Sequence, residues 1–314
     1  MLPRASCRGF STQARCYSSK VTRSVPILPD ATLETFRQHA FEPALPALLP
    51  PGCQAHIPAM TKWFKQPSEK NKAARLDARY LSGFASASLP LEITNNGEFV
   101  RIQNSMGFFL EFVNSSESTY ILAPQSDLAH RFSTTNGTGP PDSSSSAHTI
   151  PTARIYIAQA SLADLPMAMR VDLPTPELVM KAGKGDVYDS SIWLGQAPTY
   201  TPLHKDPNPN LFVQLAGRKV VRLYEPRAGN AVFSKVQEMI GGSASATMRG
   251  EEMMQGQEKE LLEAEVWSDG EDTIGGAWQA ELDAGDALFI PKGWWHSVKG
   301  LGDGINGSVN WWFR

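Results

Sequence analysis

The chain has 314 residues, a formal net charge of −3 at neutral pH, 41% hydrophobic residues and 19% charged residues. That length suits one large domain, or one domain with additions, and the near balance of charge excludes a global basic field of the kind that draws proteins to nucleic acid. No apolar run reaches the length needed to cross a bilayer, and the three cysteines, Cys7, Cys16 and Cys53, lack paired spacing, which argues against a disulfide framework or zinc ribbon and for a reducing compartment.

Residues 1–25 carry Arg4, Arg8, Arg15, Lys20 and Arg23, and no acid precedes Asp30. Such a basic, Ser-containing segment matches a mitochondrial transit peptide, with processing near Tyr17–Ser18 and a matrix location. A plain basic tail on a cytoplasmic or nuclear protein is the alternative. Residues 26–90 read as a helical flank. Thr32 is placed to cap a short helix carrying Leu33 and Phe36, prolines break it, and "MTKWFK" (60–65) and "NKAARLDARYLSGFA" (71–85) read as helix again.

From residue 91 to 314 strands dominate. "LPLEIT" (89–94) and "EFVRIQ" (98–103) predict a hairpin about a tight Asn-Gly turn, and "GFFLEFV" (107–113) alternates as a further strand. Residues 133–148 are low in complexity and poor in apolar side chains, which predicts a mobile loop over about 126–149. "TARIYIAQA" (152–160) and "SSIWLG" (190–195) read as strands, and "LFVQLAG" (211–217) with "KVVRLYEP" (219–226) as a hairpin about Gly217. Residues 229–276 form an acidic, partly helical insertion whose charges read as a solvated face. "WQAELDAGDALFIP", "WWHSV" and "GSVNWWF" supply the closing strands. Many short strands, a helical start and no βαβ rhythm predict a mainly β domain, a sandwich or jelly roll with flanking helices.

The stretch "TPLHKDPNPNLFVQLAGRK" (201–219) places His204, Asp206, Asn210, Gln214 and Lys219 beside an apolar ladder. Residues i and i+2 of a strand share a face, so His204 and Asp206 can present an imidazole and a carboxylate to one point. His296, where a loop enters a later strand, completes two histidines and one carboxylate, the ligand set of non-haem Fe(II) sites with open positions. An H-x-D pair alone is weak, and a surface pair in a turn is the bland reading, given Pro207 and Pro209. The company strengthens it. A lysine in an apolar strand needs an anion if it is buried, while an exposed strand end is its alternative. Thr201, Asn210 and Asn310 add neutral hydrogen-bonding groups. A dicarboxylate such as 2-oxoglutarate would use all of these, its keto-acid end on iron and its far carboxylate on Lys219.

Taken together, "WLG…YTPLHKDPNPNLFVQLAGRKVVRLYEP", "LDAGDALFIPKGWWHSV" and "SVNWWF" resemble the JmjC-type (cupin-8) Fe(II)/2-oxoglutarate oxygenases, most of all the JmjC-domain-5 branch. The resemblance is strong over about 150–226 and 277–314 and thinner over 60–125. It implies a double-stranded β-helix with iron held by His204, Asp206 and His296. It also implies 2-oxoglutarate bound by Thr201, Asn210 and Lys219, in a pocket lined by Trp193, Asn310 and Trp312. Fe(II), 2-oxoglutarate and O2 would together oxidise a substrate C–H bond, releasing succinate and CO2, with hydroxylation as the default and N-demethylation as the same chemistry on an N-methyl carbon. Relatives add a tyrosine from an earlier strand to the cofactor carboxylate, and "LEITNNGEFVRIQ" (91–103) holds none. A protein or peptide side chain is the expected substrate. The alternatives are a tRNA or small-metabolite hydroxylase and an inactive cupin scaffold; no nucleic-acid-binding module is evident.

Overall fold

The structure, a computed structural model, describes residues 22–65, 73–95, 98–115, 153–242, 254–268 and 275–314. Most of the expected transit segment, Cys7, Cys16, the loop over 126–149 and the Asn96–Gly97 turn lie outside the described residues. Arg23 and Ser24, within that N-terminal segment, form strand β1 (Arg23–Ser24), which runs parallel to Trp278–Gln279.

The flank contains helix α1 (Leu33–Phe36), which passes directly into a wider turn over Arg37–Phe41, then β2 (Ala47–Leu48), α2 (Ala59–Lys62), β3 (Phe64–Lys65), β4 (Arg75–Leu76) and α3 (Ala78–Leu81). Thr32 caps α1 by accepting the Thr35 N–H, and Asp77 caps α3 by accepting from Arg79 and Tyr80. Two expected helices are thereby shorter than the pattern suggests. "MTKWFK" turns into strand at Phe64, where Phe64 pairs with Leu76 of the second segment. Asp172 ties this flank to the body: fully buried, it accepts from Lys62, Trp63 (2.9 Å) and Tyr80.

Strands β5 (Ser88–Asn95) and β6 (Glu98–Ser105) form the expected hairpin, in register from Ser88↔Ser105 to Asn95↔Glu98. The expected strand over 107–113 is instead helix α4 (Met106–Asn114). The Ser105 hydroxyl accepts the Phe108 N–H at 3.1 Å and opens the helix. Met106, Phe109 and Leu110 are buried at helical spacing, so a stripe with a three-to-four residue period outweighed the short alternation. Ser105→Ala should cost about 1 kcal/mol, read as a small fall in melting temperature with unchanged metal binding.

The remaining elements are β7 (Arg154–Ser161), α5 (Met167–Val171), α6 (Glu177–Lys181), β8 (Val187–Gln196), β9 (Thr199–Lys205), β10 (Asn210–Ala216), β11 (Arg218–Tyr224), α7 (Pro226–Ile240), α8 (Gly256–Trp267), β12 (Trp278–Leu282), β13 (Ala287–Ile290), β14 (Trp295–Leu301) and β15 (Ile305–Phe313). An eight-stranded sheet runs β2-β13-β10-β15-β8-β7-β5-β6 and a five-stranded sheet runs β1-β12-β11-β14-β9. Strands β8 to β15 thus place β8, β15, β10 and β13 in one sheet and β9, β14, β11 and β12 in the other, the strand order of a jelly roll. The fold is the expected mainly β, cupin-like architecture, as two large sheets rather than a closed barrel.

Period-two alternation sorts the side chains. On β15, Val309, Trp311 and Phe313 pack into the main core with Phe36, Trp63 and Phe289, while Ser308, Asn310 and Trp312 face the space between the sheets. On β10, Leu211, Val213 and Leu215 belong to the core and Asn210 and Phe212 face inward. The expected hairpin about Gly217 does not form. Strand β10 pairs with β13 and β15, β11 pairs with β12 and β14, and the chain crosses between sheets at Gly217. Both strands are fully flanked, so neither has an edge for the other. Gly217 has φ +69°, and a Cβ there would meet the Ile305 carbonyl at 2.6 Å, so only glycine makes this crossing without strain.

The described parts of the acidic insertion are not simply a solvated face. Val232, Phe233 and Val236 of α7 and Leu262 and Val266 of α8 bury against Leu203, Tyr224 and Trp295. The acids lie on the remaining faces, where Glu265 pairs with Lys235 at 2.7 Å and Glu263 with Lys299 at 2.6 Å.

Candidate metal centre and anion pocket

His204 is next to last in β9, Asp206 follows just past the strand's end, and His296 is second in β14, directly across the ladder from His204. All three are buried, and one ligand atom from each lies within 4.8 Å of the others. The His204 and His296 Nε2 atoms stand 4.0 Å and 3.6 Å from the two Asp206 oxygens. Each Nδ1 faces a backbone carbonyl, Pro202 at 2.9 Å and Trp294 at 3.3 Å. A carbonyl only accepts, so both rings carry hydrogen on Nδ1 and turn the Nε2 lone pair to the centre. Desolvation and the facing His204 push the His296 imidazole down to about 4, with Asp206 opposing, so it is neutral at pH 7. Burial pushes the Asp206 carboxyl up, but the two histidines and hydrogen bonds from Trp312 and Asn210 outweigh it and hold it below the ordinary carboxylate range. Two imidazoles and one carboxylate with a common focus could hold a divalent first-row metal.

Asn210 and Trp312 both reach Asp206. The Asn210 amide donates to Oδ2 at 3.1 Å and the Trp312 indole at 2.7 Å, which leaves Oδ1 on the side of His204. Asn310 donates to the Asn210 Oδ1 at 3.0 Å, and its own buried Oδ1 has no partner among the described residues. These three therefore orient the carboxylate while also lining the cavity. Gln214 does not join them. Its amide bonds the Ala216 carbonyl and Asn306 at the irregularity between β10 and β15, a structural role.

Lys219 lies deeper between the sheets and is 3% exposed. Its Nζ donates to Ser308 Oγ at 2.7 Å and to Tyr156 OH at 3.2 Å, and sits 5.3 Å from the Phe212 ring. No carboxylate pairs with it among the described residues, and burial alone pulls its pKa down to about 7. A buried lysine amine with hydroxyls beside it and no counter-charge fits an arriving anion, which would restore its full charge. Tyr156, on β7, is the site residue that sequence reasoning missed. Burial, then the charge of Glu92, pushes its phenol well above the ordinary range, so it stays protonated. It pairs with Gly195 of β8, where a Cβ would meet the Tyr156 ring at 2.5 Å. The sequence carried no signal for it, because the pairing of β7 with β8 that brings Tyr156 to Lys219 appears only in the fold.

Trp193 and Thr201 line this inner space with Tyr156, Lys219 and the three ligand residues. The inner cavity measures about 30 Å³, enough for an ion or a water. A second cavity of about 350 Å³ shares Tyr156, Trp193 and Thr201 and is walled further by Glu92, Phe99, Tyr200 and the insertion's Lys259 and Glu263. The ligand set fits a divalent metal, and the uncompensated Lys219 with its two hydroxyl neighbours fits the carboxylate of a co-substrate.

The family model for the cupin-like domain matches residues 34–314. A lysine-specific demethylase of Arabidopsis thaliana is 26% identical over 285 residues, covering 90% of this chain and 53% of that protein. A Jumonji C domain-containing protein 5 of Drosophila melanogaster is 26% identical over 292 residues, covering 92% of this chain and 59% of that protein. A lysine-specific demethylase 8 of Danio rerio is 27% identical over 160 residues, half of this chain and 36% of that protein. The chain thus spans little more than half the length of the relatives it matches most fully. Fold, ligand cluster and matches agree: this chain belongs to the cupin-like domain family, in its JmjC type.

Proposed function

We propose that this chain is an Fe(II)- and 2-oxoglutarate-dependent dioxygenase that hydroxylates a protein or peptide side chain, or removes an N-methyl group through the same hydroxylation. The observation that carries the reading is Lys219, a buried lysine without a counter-charge that shares one cavity with the His204–Asp206–His296 cluster. An inactive scaffold has no use for such a lysine, because burying it unpaired only destabilises the fold.

Fe(II) with 2-oxoglutarate and O2 supplies the oxidation of a C–H bond, with 2-oxoglutarate converted to succinate and CO2. The chain's residues bind, orient and exclude. His204 and His296, through Nε2, and Asp206 would hold the metal, and Trp312 and Asn210 fix the carboxylate's rotation. Lys219, Ser308 and Tyr156 would hold the far carboxylate, with Thr201 on the cavity wall. Trp193, Phe212 and Val298 exclude water from the space between. The relatives' names as lysine-specific demethylases support a protein side chain as substrate, and the larger adjoining cavity has room for one.

The test is turnover. Protein supplied with Fe(II), ascorbate and 2-oxoglutarate in air should form succinate slowly, followed by NMR, and should stop without iron or oxygen. A peptide substrate would accelerate it and gain one oxygen atom or lose a methyl group by mass. Neither succinate nor any binding of 2-oxoglutarate to the metal-loaded protein would sink the proposal.

A further inference from the structure

The ladder between the two histidine strands is irregular at one place. His296 faces His204 and Val298 faces Thr201, so Pro202 and Leu203 together oppose the single residue Ser297. Such a bulge bends a strand and re-aims the side chains beside it. Here it sits immediately next to both imidazoles, and Pro202, which cannot donate to a ladder, lies inside it. The bond that spans the bulge comes from a side chain: Ser297 Oγ, fully buried, donates to the Thr201 carbonyl at 2.8 Å.

Ser297 is itself held from outside the sheet. The indole N–H of Trp267, the last residue of helix α8, donates to Ser297 Oγ at 2.9 Å. A serine hydroxyl that accepts this bond has its single hydrogen available for Thr201. The Trp267 ring lies near two cations of the sheet's outer face, Arg222 at 4.9 Å and Lys299 at 5.0 Å. Arg222 is Ser297's neighbour across the ladder and bonds the Val266 carbonyl at 2.6 Å, while Lys299 pairs with Glu263 of the same helix. The insertion thus reaches the bulge through one indole and is fastened on both sides of it.

We propose that Trp267 is a positioning residue: through Ser297 it holds the β9 bulge, and so the spacing of His204 against His296. The inference rests on the reading that those histidines ligate a metal. It gives the acidic insertion a task, coupling the packing of α8 to the affinity of the centre.

Co(II) affinity, read from visible absorbance, tests this apart from turnover. Trp267→Ala and Ser297→Ala should each weaken Co(II) binding about tenfold. Trp267→Phe, which keeps a ring near the two cations but lacks the N–H, should weaken it by more than about twofold, and carries the test if the alanine variant does not fold. The double variant should bind Co(II) no more weakly than Ser297→Ala alone, since both act through one bond. Affinity within about twofold of wild type in Trp267→Phe and Trp267→Ala, or additive losses in the double variant, would overturn the latch and leave the metal site standing. A wild-type protein that binds no Co(II) would overturn both.

Discussion

Asp206→Asn is expected to lower metal affinity by more than about a hundredfold while leaving the fold in place. Asp206 is the cluster's one anion, since the other two members are histidines, which are neutral or cationic. The amide keeps an oxygen to accept from Trp312 and Asn210 but removes the charge that faces a dication. Asp206→Ala should lose metal and stability together. It strands the Trp312 and Asn210 donors in a buried space, at about 1–3 kcal/mol for each unsatisfied group. Equilibrium dialysis for metal and thermal melts of the metal-free protein separate the two effects. Retained stoichiometric metal in Asp206→Asn would remove this residue from the ligand set.

Lys219→Met is expected to weaken 2-oxoglutarate binding at least about thirtyfold, the effect of leaving one partner of a buried charge pair alone. A 2-oxo monoacid, which lacks the far carboxylate, should bind both proteins alike. The same substitution should raise the melting temperature of the metal-free protein. Lys219 is depressed from 10.5 to about 7 by desolvation, so between those values the unfolded chain holds a proton that the folded chain does not. Stability therefore rises with pH across that window, and Lys219→Met should flatten the rise. At pH 8, binding of 2-oxoglutarate to the wild-type protein should take up a proton, visible as a dependence of the calorimetric heat on buffer. Gain of stability with loss of co-substrate marks a functional residue kept at a cost to the fold. An unchanged affinity would place the carboxylate elsewhere.

That His204, Asp206 and His296 converge, and that Lys219 is buried, was legible because strand geometry is strict. His204 near the end of β9 and Asp206 just past it, two residues apart, still face one point, and a lysine among Val220, Val221 and Leu223 has to be explained by a partner. The same alternation on "GSVNWWF" sends Trp311 to the core and Trp312 to Asp206. What could not be read was long-range. Whether Gly217 turns a hairpin or crosses between sheets depends on which strands fill each neighbouring position, and those lie far along the chain. Asn210, Trp312 and Gln214 look alike as polar or amphipathic groups in strands. Only the register with β15 shows that two of them grip Asp206 and the third grips Asn306. Tyr156 reaches Lys219 because β7 joins the sheet beside β8, a pairing that no local pattern encodes. The helix over 106–114 was misread because seven residues with apolar side chains on both faces satisfy either period, and the deciding Ser105 cap lies before the run.

The most direct test of the central claim is a crystal structure of the protein with Mn(II) and 2-oxoglutarate, without O2. The account predicts an anomalous peak shared by His204, Asp206 and His296, one end of the dicarboxylate on that metal, and its other carboxylate in hydrogen-bond reach of Lys219 Nζ and Tyr156 OH. A metal held by other residues, or a distal carboxylate turned away from Lys219, would contradict it.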